Sequence, residues 1–294
     1  MKRADNESAS SVTPVRLDVG TLAETPSHEI VLIGRAEQRR RLLHAMRDGR
    51  SLLIWGPADS GKTALVKNAI ATLPGIVRRN CIYWDGPAGV KQLAGGLVGR
   101  LCEIGAPVAL DAVRRNGAAS GFGEGWLRKY SCGRLKLILF EAARADRYCI
   151  FLDHMSEPTQ AMARFLKQII WRGRAPVFLL ARGNTRAEIG PAWSIYFAPQ
   201  YQLRMDPVAN SAARSLLEAC IDRFGLDALN LADFREELLR LSGGLPGAIV
   251  KMCELAAERR YHFGNRVKMR LVHVDYLMRA AAKQPGRERG GIQT

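Results

Sequence analysis

Unbroken apolar runs alternate with stretches of helical spacing over the first two thirds of the chain. SLLIWG (51–56), YCIFLD (148–153) and PVFLLA (176–181) are short apolar runs without polar alternation. Such runs predict strands buried on both faces, as in a parallel sheet covered by helices. IVRRNCIYWD (76–85) predicts a further strand, and SIYFAPQYQL (194–203) contains a last short one. HEIVLIGR (28–35) brings another apolar run to a glycine. Between the strands, helical spacing predicts helices over 36–49, 62–73, 89–105, 133–146 and 159–173, the third weakened by its glycines. The Gly-rich, poorly periodic stretch 106–132 predicts a loop or insertion.

The pattern changes after Pro207. Four helices are predicted in succession, over 210–224, 231–241, 246–260 and 273–282. The organisation expected is a polar, flexible arm over 1–27, an α/β domain over 28–206, a small all-helical domain over 207–284 and a basic tail over 285–294.

The junction of the 51–56 strand with the 62–73 helix carries the most specific chemistry. Gly56-Pro57-Ala58-Asp59-Ser60-Gly61-Lys62-Thr63 satisfies G-x-x-x-x-G-K-[ST] at every fixed position. Glycines let successive N–H groups turn toward phosphate oxygens, and the following helix, from Lys62 through Ala64, offers its N-terminus to the same oxygens. Lys62 is expected to reach the β and γ phosphates of ATP, and the Thr63 hydroxyl to ligate Mg²⁺. Asp153 ends a buried strand at the edge where such loops lie, and is expected to hold the same Mg²⁺ through water. The fold class expected is therefore α/β, a P-loop three-layer sandwich with a parallel sheet, followed by a helical lid.

Charge adds a partner. The chain has 44 Lys and Arg against 28 Asp and Glu, a net charge of +16, and residues 258–294 hold nine basic residues against three acidic. Such a balance suits nucleic acid first, then a solvated basic face with no partner, and an anionic membrane surface last. No apolar run approaches the ~20 residues that span a bilayer, and the polar N-terminus MKRADNESAS lacks the apolar core of a secretory signal. Six scattered cysteines, with no C-x-x-C pair, suit a reducing, cytoplasmic setting and offer no zinc-ligand spacing.

These motifs, taken in order, resemble those of AAA+ and STAND-type ATPases, in the archaeal-ATPase, origin-recognition and NB-ARC-like branches. IGRAEQRRRLL (33–43) is similar to the G-R-x-x-E/Q-x-x-x-L box upstream of the loop, VFLLARGN (177–184) to the sensor-1 strand, and SGGLPGAI (242–249) to the G-L-P-L-A segment of the lid. The resemblance implies that Ile33, Gly34, Arg35 and Pro246 lie against the base, and that Arg182 or Asn184 is the polar sensor. It implies an oligomer in which Arg186 could reach a neighbouring subunit.

Two positions depart from the resemblance. The residue after Asp153, a Glu or Asp in those families that orients the attacking water, is His154. A neutral imidazole can accept a proton near pH 7; Glu157 could take the role if the turn returns it, and His154 would then be a supporting or capping residue. The lid position that carries Arg in many AAA+ proteins is Gly247. The function expected is an ATP-binding, slowly hydrolysing AAA+-like switch acting on DNA or a DNA-bound complex. A STAND-like regulator with a protein partner, and a P-loop small-molecule kinase, are the alternatives.

Overall fold

The computed structural model describes residues 32–86, 88–115, 129–155 and 158–282. The expected N-terminal arm and basic tail lie outside the described residues, as does Glu157.

Five strands form one sheet: β1 (Leu52–Gly56), β2 (Cys81–Asp85), β3 (Cys149–Asp153), β4 (Val177–Arg182) and β5 (Gln202–Arg204), in the order β2-β3-β4-β1-β5. Every pairing is parallel. The apolar runs are divided between the two faces by the two-residue period of a strand. Leu53, Trp55, Ile150, Leu152, Val177 and Leu179 face one core, covered by α4 (Val90–Glu103), α5 (Pro107–Arg114), α6 (Cys132–Ala145) and α7 (Gln160–Gln168). Leu52, Ile54, Phe151, Phe178, Leu180 and Leu203 face the other, covered by α1 (Ala36–Arg47) and α2 (Lys62–Ala71). Phe151 and Phe178 are cross-strand partners whose rings stack at 4.6 Å between centroids.

Beyond β5, helices α9 (Asn210–Phe224), α10 (Ala232–Ser242), α11 (Pro246–Ala256) and α12 (Met269–Ala282) pack around a third core. Ile33, ahead of α1, packs against that core too. Among the described residues, no single helix is long and apolar enough to cross a membrane.

The structure corrects several expected boundaries. The strand expected over 76–85 is shortened by a single helical turn, α3 (Gly75–Arg79), in which the Arg78 N–H bonds the Pro74 carbonyl at 2.9 Å. Only Cys81–Asp85 has a partner in β3. Residues 107–114, expected in a loop, form α5: Pro107 starts it and Ala109, Ala112 and Val113 are buried on one face. Its shortness hid that period. Gly105, at φ 85°, separates it from α4. The strand expected within 194–203 is confined to its end, because Pro199 cannot donate to a ladder. The helix expected over 159–173 finishes as a π-helical turn at Ile169–Gly173. A small hairpin of β6 (His262–Phe263) and β7 (Arg266–Val267) precedes α12. The remaining α-helix, α8 (Arg186–Ile189), is a single turn after β4.

Gly96, one of the glycines of α4, has a reason beyond flexibility. A Cβ at Gly96 would lie 1.9 Å from Cζ3 of Trp84, whose indole N–H is fixed on the Gly86 carbonyl at 3.1 Å. A Cβ at Gly133 in α6 would meet nothing closer than 4.0 Å. Helix propensity alone favours Ala over Gly by roughly 0.5–1 kcal/mol at either place. We therefore expect Gly96→Ala to destabilise by about 1–3 kcal/mol through overpacking, and Gly133→Ala to be neutral or stabilising. Urea unfolding of the two variants checks this; equal shifts would contradict it.

Candidate functional site

Because all five strands run the same way, Gly56, Asp85, Asp153 and Arg182 finish β1, β2, β3 and β4 at one edge of the sheet. The loop from Gly56 to Lys62 leaves that edge. Gly56 takes φ 153°, and a Cβ there would sit 2.5 Å from the Met205 carbonyl oxygen. Asp59 and Gly61 take φ 60° and 89°, so the chain curls before entering α2. The first intrahelical backbone bond is Leu65 N–H to the Gly61 carbonyl, which leaves the N–H groups of Lys62, Thr63 and Ala64 at the helix mouth.

The Lys62 ammonium is folded across the loop. It donates to the carbonyls of Gly56 (3.0 Å) and Pro57 (2.7 Å) and to the Ser60 hydroxyl (3.2 Å). Burial lowers its pKa to about 8; Asp153 and Asp59 oppose that shift, while Arg182 and Arg35 add to it. Arg35 is buried, with its guanidinium donating to the Ser60 carbonyl at 2.9 Å and its Nε without a partner. Burial lowers its pKa, against the pull of Asp206.

Next to the loop, Asp153 is a buried carboxylate with both oxygens bonded. One oxygen accepts from the Thr63 hydroxyl and the Tyr83 hydroxyl, both at 2.6 Å. The other accepts from the His154 N–H at 2.8 Å. The convergence of a hydroxyl and a carboxylate beside the N–H groups of the helix mouth suits a hard cation with phosphate ligands. The loop residues and Asp153 therefore fit Mg²⁺ and a nucleoside polyphosphate. Burial and Asp153 together push the Tyr83 pKa upward.

His154 stands at φ 49°, and its Nδ1 lies 2.6 Å from Oδ1 of Asp85. Asp85 and Asp153 are register partners on β2 and β3, so their carboxylates flank the imidazole. Sequence reasoning missed Asp85 and Tyr83. The signal was available, since both neighbouring strands end in Asp, but using it required the register.

The other expected residues are distributed around this centre. Arg182 is exposed at the end of β4, close enough for its charge to act on Lys62 and Tyr276. Asn184 and Arg186 are exposed beyond it, with the Asn184 N–H bonded to Glu188. Gly34 takes φ 79° and lies against α9, where a Cβ would meet Ala212 Cβ at 2.7 Å. Pro246 is buried at the start of α11.

No protein-family profile matches the chain, and no curated protein matches it by sequence. Solved structures do match. The Walker-type ATPase PABY2304 of Pyrococcus abyssi superposes with a TM-score of 0.52 at 16% identity, covering 85% of this chain and 73% of that one. The ORC1 protein of Aeropyrum pernix, solved in complex with DNA, superposes with a TM-score of 0.55 at 17% identity, covering 88% and 68%. The chain has the AAA+/P-loop ATPase-like fold. Within that P-loop fold, the 56–63 loop, Asp153 and the β4 end occupy one edge of the sheet.

The His154–Asp85 pair generates a pH prediction. The bond to Asp85 raises the His154 pKa above 6.5, aided by Asp153 and opposed by burial and Lys67. The same bond lowers that of Asp85. The His154 contribution is thus complete below the unfolded imidazole pKa and is lost as pH rises through the folded one. The Asp85 contribution is present above the unfolded carboxyl pKa and is lost as pH falls through the folded one. His154 is 63% exposed, so the stabilisation is screened to below about 1 kcal/mol. The imidazole C2–H resonance should titrate above pH 6.5 and move down in Asp85→Asn; an unchanged titration would contradict the pairing.

Proposed function

We propose that residues 56–63 bind the phosphates of ATP and that the chain is a nucleotide-controlled switch acting on DNA or a DNA-bound complex. In this reading residues 28–206 are the nucleotide-binding unit and 207–284 its lid. The observation that carries it is the convergence of Lys62, Thr63 and Asp153 at the helix mouth.

Lys62 would turn from the loop carbonyls to the β and γ phosphates, whose negative charge would oppose the lowering of its pKa by burial. The N–H groups of Gly61 to Ala64 would take the remaining oxygens. Thr63 and Asp153 would hold Mg²⁺, which when bound offsets phosphate charge. Ile33, Gly34, Arg35 and Pro246 would border the base. The water-orienting position belongs to His154, tied to Asp85 and lacking a fixed negative charge of its own, so turnover is slow and the ATP-bound state persists. Arg182 would sense the γ-phosphate, and Arg186 would serve a neighbouring subunit.

Lys62→Ala should weaken binding of a fluorescent ATP analogue by at least ~10-fold, the loss of a charge-assisted contact of ~1.5–3 kcal/mol. Unchanged affinity would refute the phosphate site.

DNA is supported by the charge of +16 and by one exposed basic segment. Arg259, Arg266, Lys268 and Arg270 are exposed around the β6–β7 hairpin, whose Phe263 is 74% exposed. The solved neighbour from Aeropyrum pernix is in complex with DNA. Replacing Arg266, Lys268 and Arg270 together by Gln should flatten the dependence of log affinity on log salt by about 0.9 for each phosphate no longer neutralised. Absence of oligonucleotide binding at low salt would favour the second reading, a regulator with a protein partner. That reading is supported by the apolar face of α12, where Leu271, Val274, Leu277 and Met278 are all at least half exposed.

A further inference from the structure

Asp59 is the one acidic residue of the 56–63 loop, and three groups from the helical region converge on it. Its carbonyl accepts the Gly247 N–H at 2.7 Å. One carboxylate oxygen takes the Lys251 ammonium at 2.5 Å, and the other takes the Tyr276 hydroxyl at 2.8 Å. Gly247 and Lys251 lie one turn apart on α11, and Tyr276 lies on α12. The approach is close: a Cβ on Gly247 would stand 2.9 Å from the Asp59 carbonyl oxygen and 3.0 Å from its Cα and Cβ. The Asp59 carboxylate is largely covered, with 15% of its side chain exposed.

A carboxylate here is electrostatically out of place. It sits within a loop whose N–H groups and Lys62 face an anion, and its charge is already felt by Lys62. Left bare, it would repel a polyphosphate at the same loop. Docked, it is neutralised by Lys251 and oriented by Tyr276. The helical region therefore does more than cover the loop: it offsets the charge that opposes binding.

We propose that Asp59, Gly247, Lys251 and Tyr276 form a latch whose closure is the condition for tight phosphate binding, with Lys251 acting as a positioning residue through Asp59. The inference rests on the phosphate-binding reading of the loop. Its sign is fixed: opening the latch weakens nucleotide binding, and by reciprocity bound nucleotide holds the helical region down. Gly247 supplies no side chain to reach a phosphate, so communication runs through the loop's own carboxylate.

The test is a double-mutant cycle on the full chain with Mg²⁺, reading the affinity of fluorescent ADP and of a non-hydrolysable ATP analogue. Lys251→Met should weaken both by about 5- to 10-fold, the scale of one partly exposed charge left uncompensated. Asp59→Asn keeps a residue that tolerates φ 60° and removes the charge. In the Lys251→Met background it should restore affinity to within about 2-fold of wild type, because nothing remains to be neutralised. Hydrogen exchange across 246–256 should slow when ADP is added to wild type, and not when it is added to Lys251→Met.

A double variant as weak as Lys251→Met alone would make Lys251 a direct phosphate ligand and overturn the latch. So would undiminished binding by Lys251→Met. If Lys251→Met fails to fold, Lys251→Arg and Tyr276→Phe decide: near-normal affinity in the first and weakened affinity in the second support the latch, and the reverse overturns it. A wild-type protein that binds neither nucleotide overturns the phosphate reading itself, whereas normal wild-type binding without rescue overturns the latch alone.

Discussion

Parallel strands end where their neighbours end, and the site depends on that constraint. In an antiparallel sheet of the same order, Arg182 and Asp85 would lie at the edge opposite Gly56 and Asp153. Here β1, β3 and β4 deliver a loop, a carboxylate and an arginine to one edge, and β2 adds Asp85 in register with Asp153. The apolar faces on both sides fix the register, since a one-residue slip would turn Phe151 and Phe178 toward the wrong core. The chemistry is accurate because the packing leaves the strands no second alignment.

Charges crowd at that edge, and most are held by a neighbour. Lys62 donates to loop oxygens, Asp153 accepts from three donors, and Asp59 is held by residues 192 and 217 positions away. Arg35 keeps one buried N–H without an acceptor. The loop is thus shaped by its own internal bonds, and on the proposed reading an incoming anion would exchange bonds with groups already in place. That would limit the ordering entropy lost on binding.

Much of this was legible in the sequence, and the rest failed for identifiable reasons. The strands at 51–56, 148–153 and 176–181 announce themselves because burial on both faces leaves no polar alternation. The loop is fixed by its glycines and Lys62. Helix α5 was hidden by its length, since eight residues show barely two turns of periodicity. The 262–267 hairpin has two residues per strand, too few for any pattern. At the site, Thr63 could be named from the loop motif and Asp153 from the end of a buried strand, and their 2.6 Å contact required only the fold. Asp85 required the β2–β3 register. Lys251 and Tyr276 could not be found at all, because their partner lies in another unit of the chain and neither belongs to a local pattern.

The approach of Gly247 to Asp59 also bears on how such a sequence can drift. A side chain at 247 would collide with the backbone of 59, so the two positions are not free to vary separately. A lineage that acquires arginine at 247 must first let the loop withdraw, giving up the bond between the 247 N–H and the 59 carbonyl. Lysine at 251 then has no acid to meet, and an acid at 59 has no reason to persist. On the latch reading, the acidic loop residue, the bare glycine and the lysine one turn later would be gained and lost as a set, and their co-occurrence would separate chains that close through the loop from chains that close through the ligand.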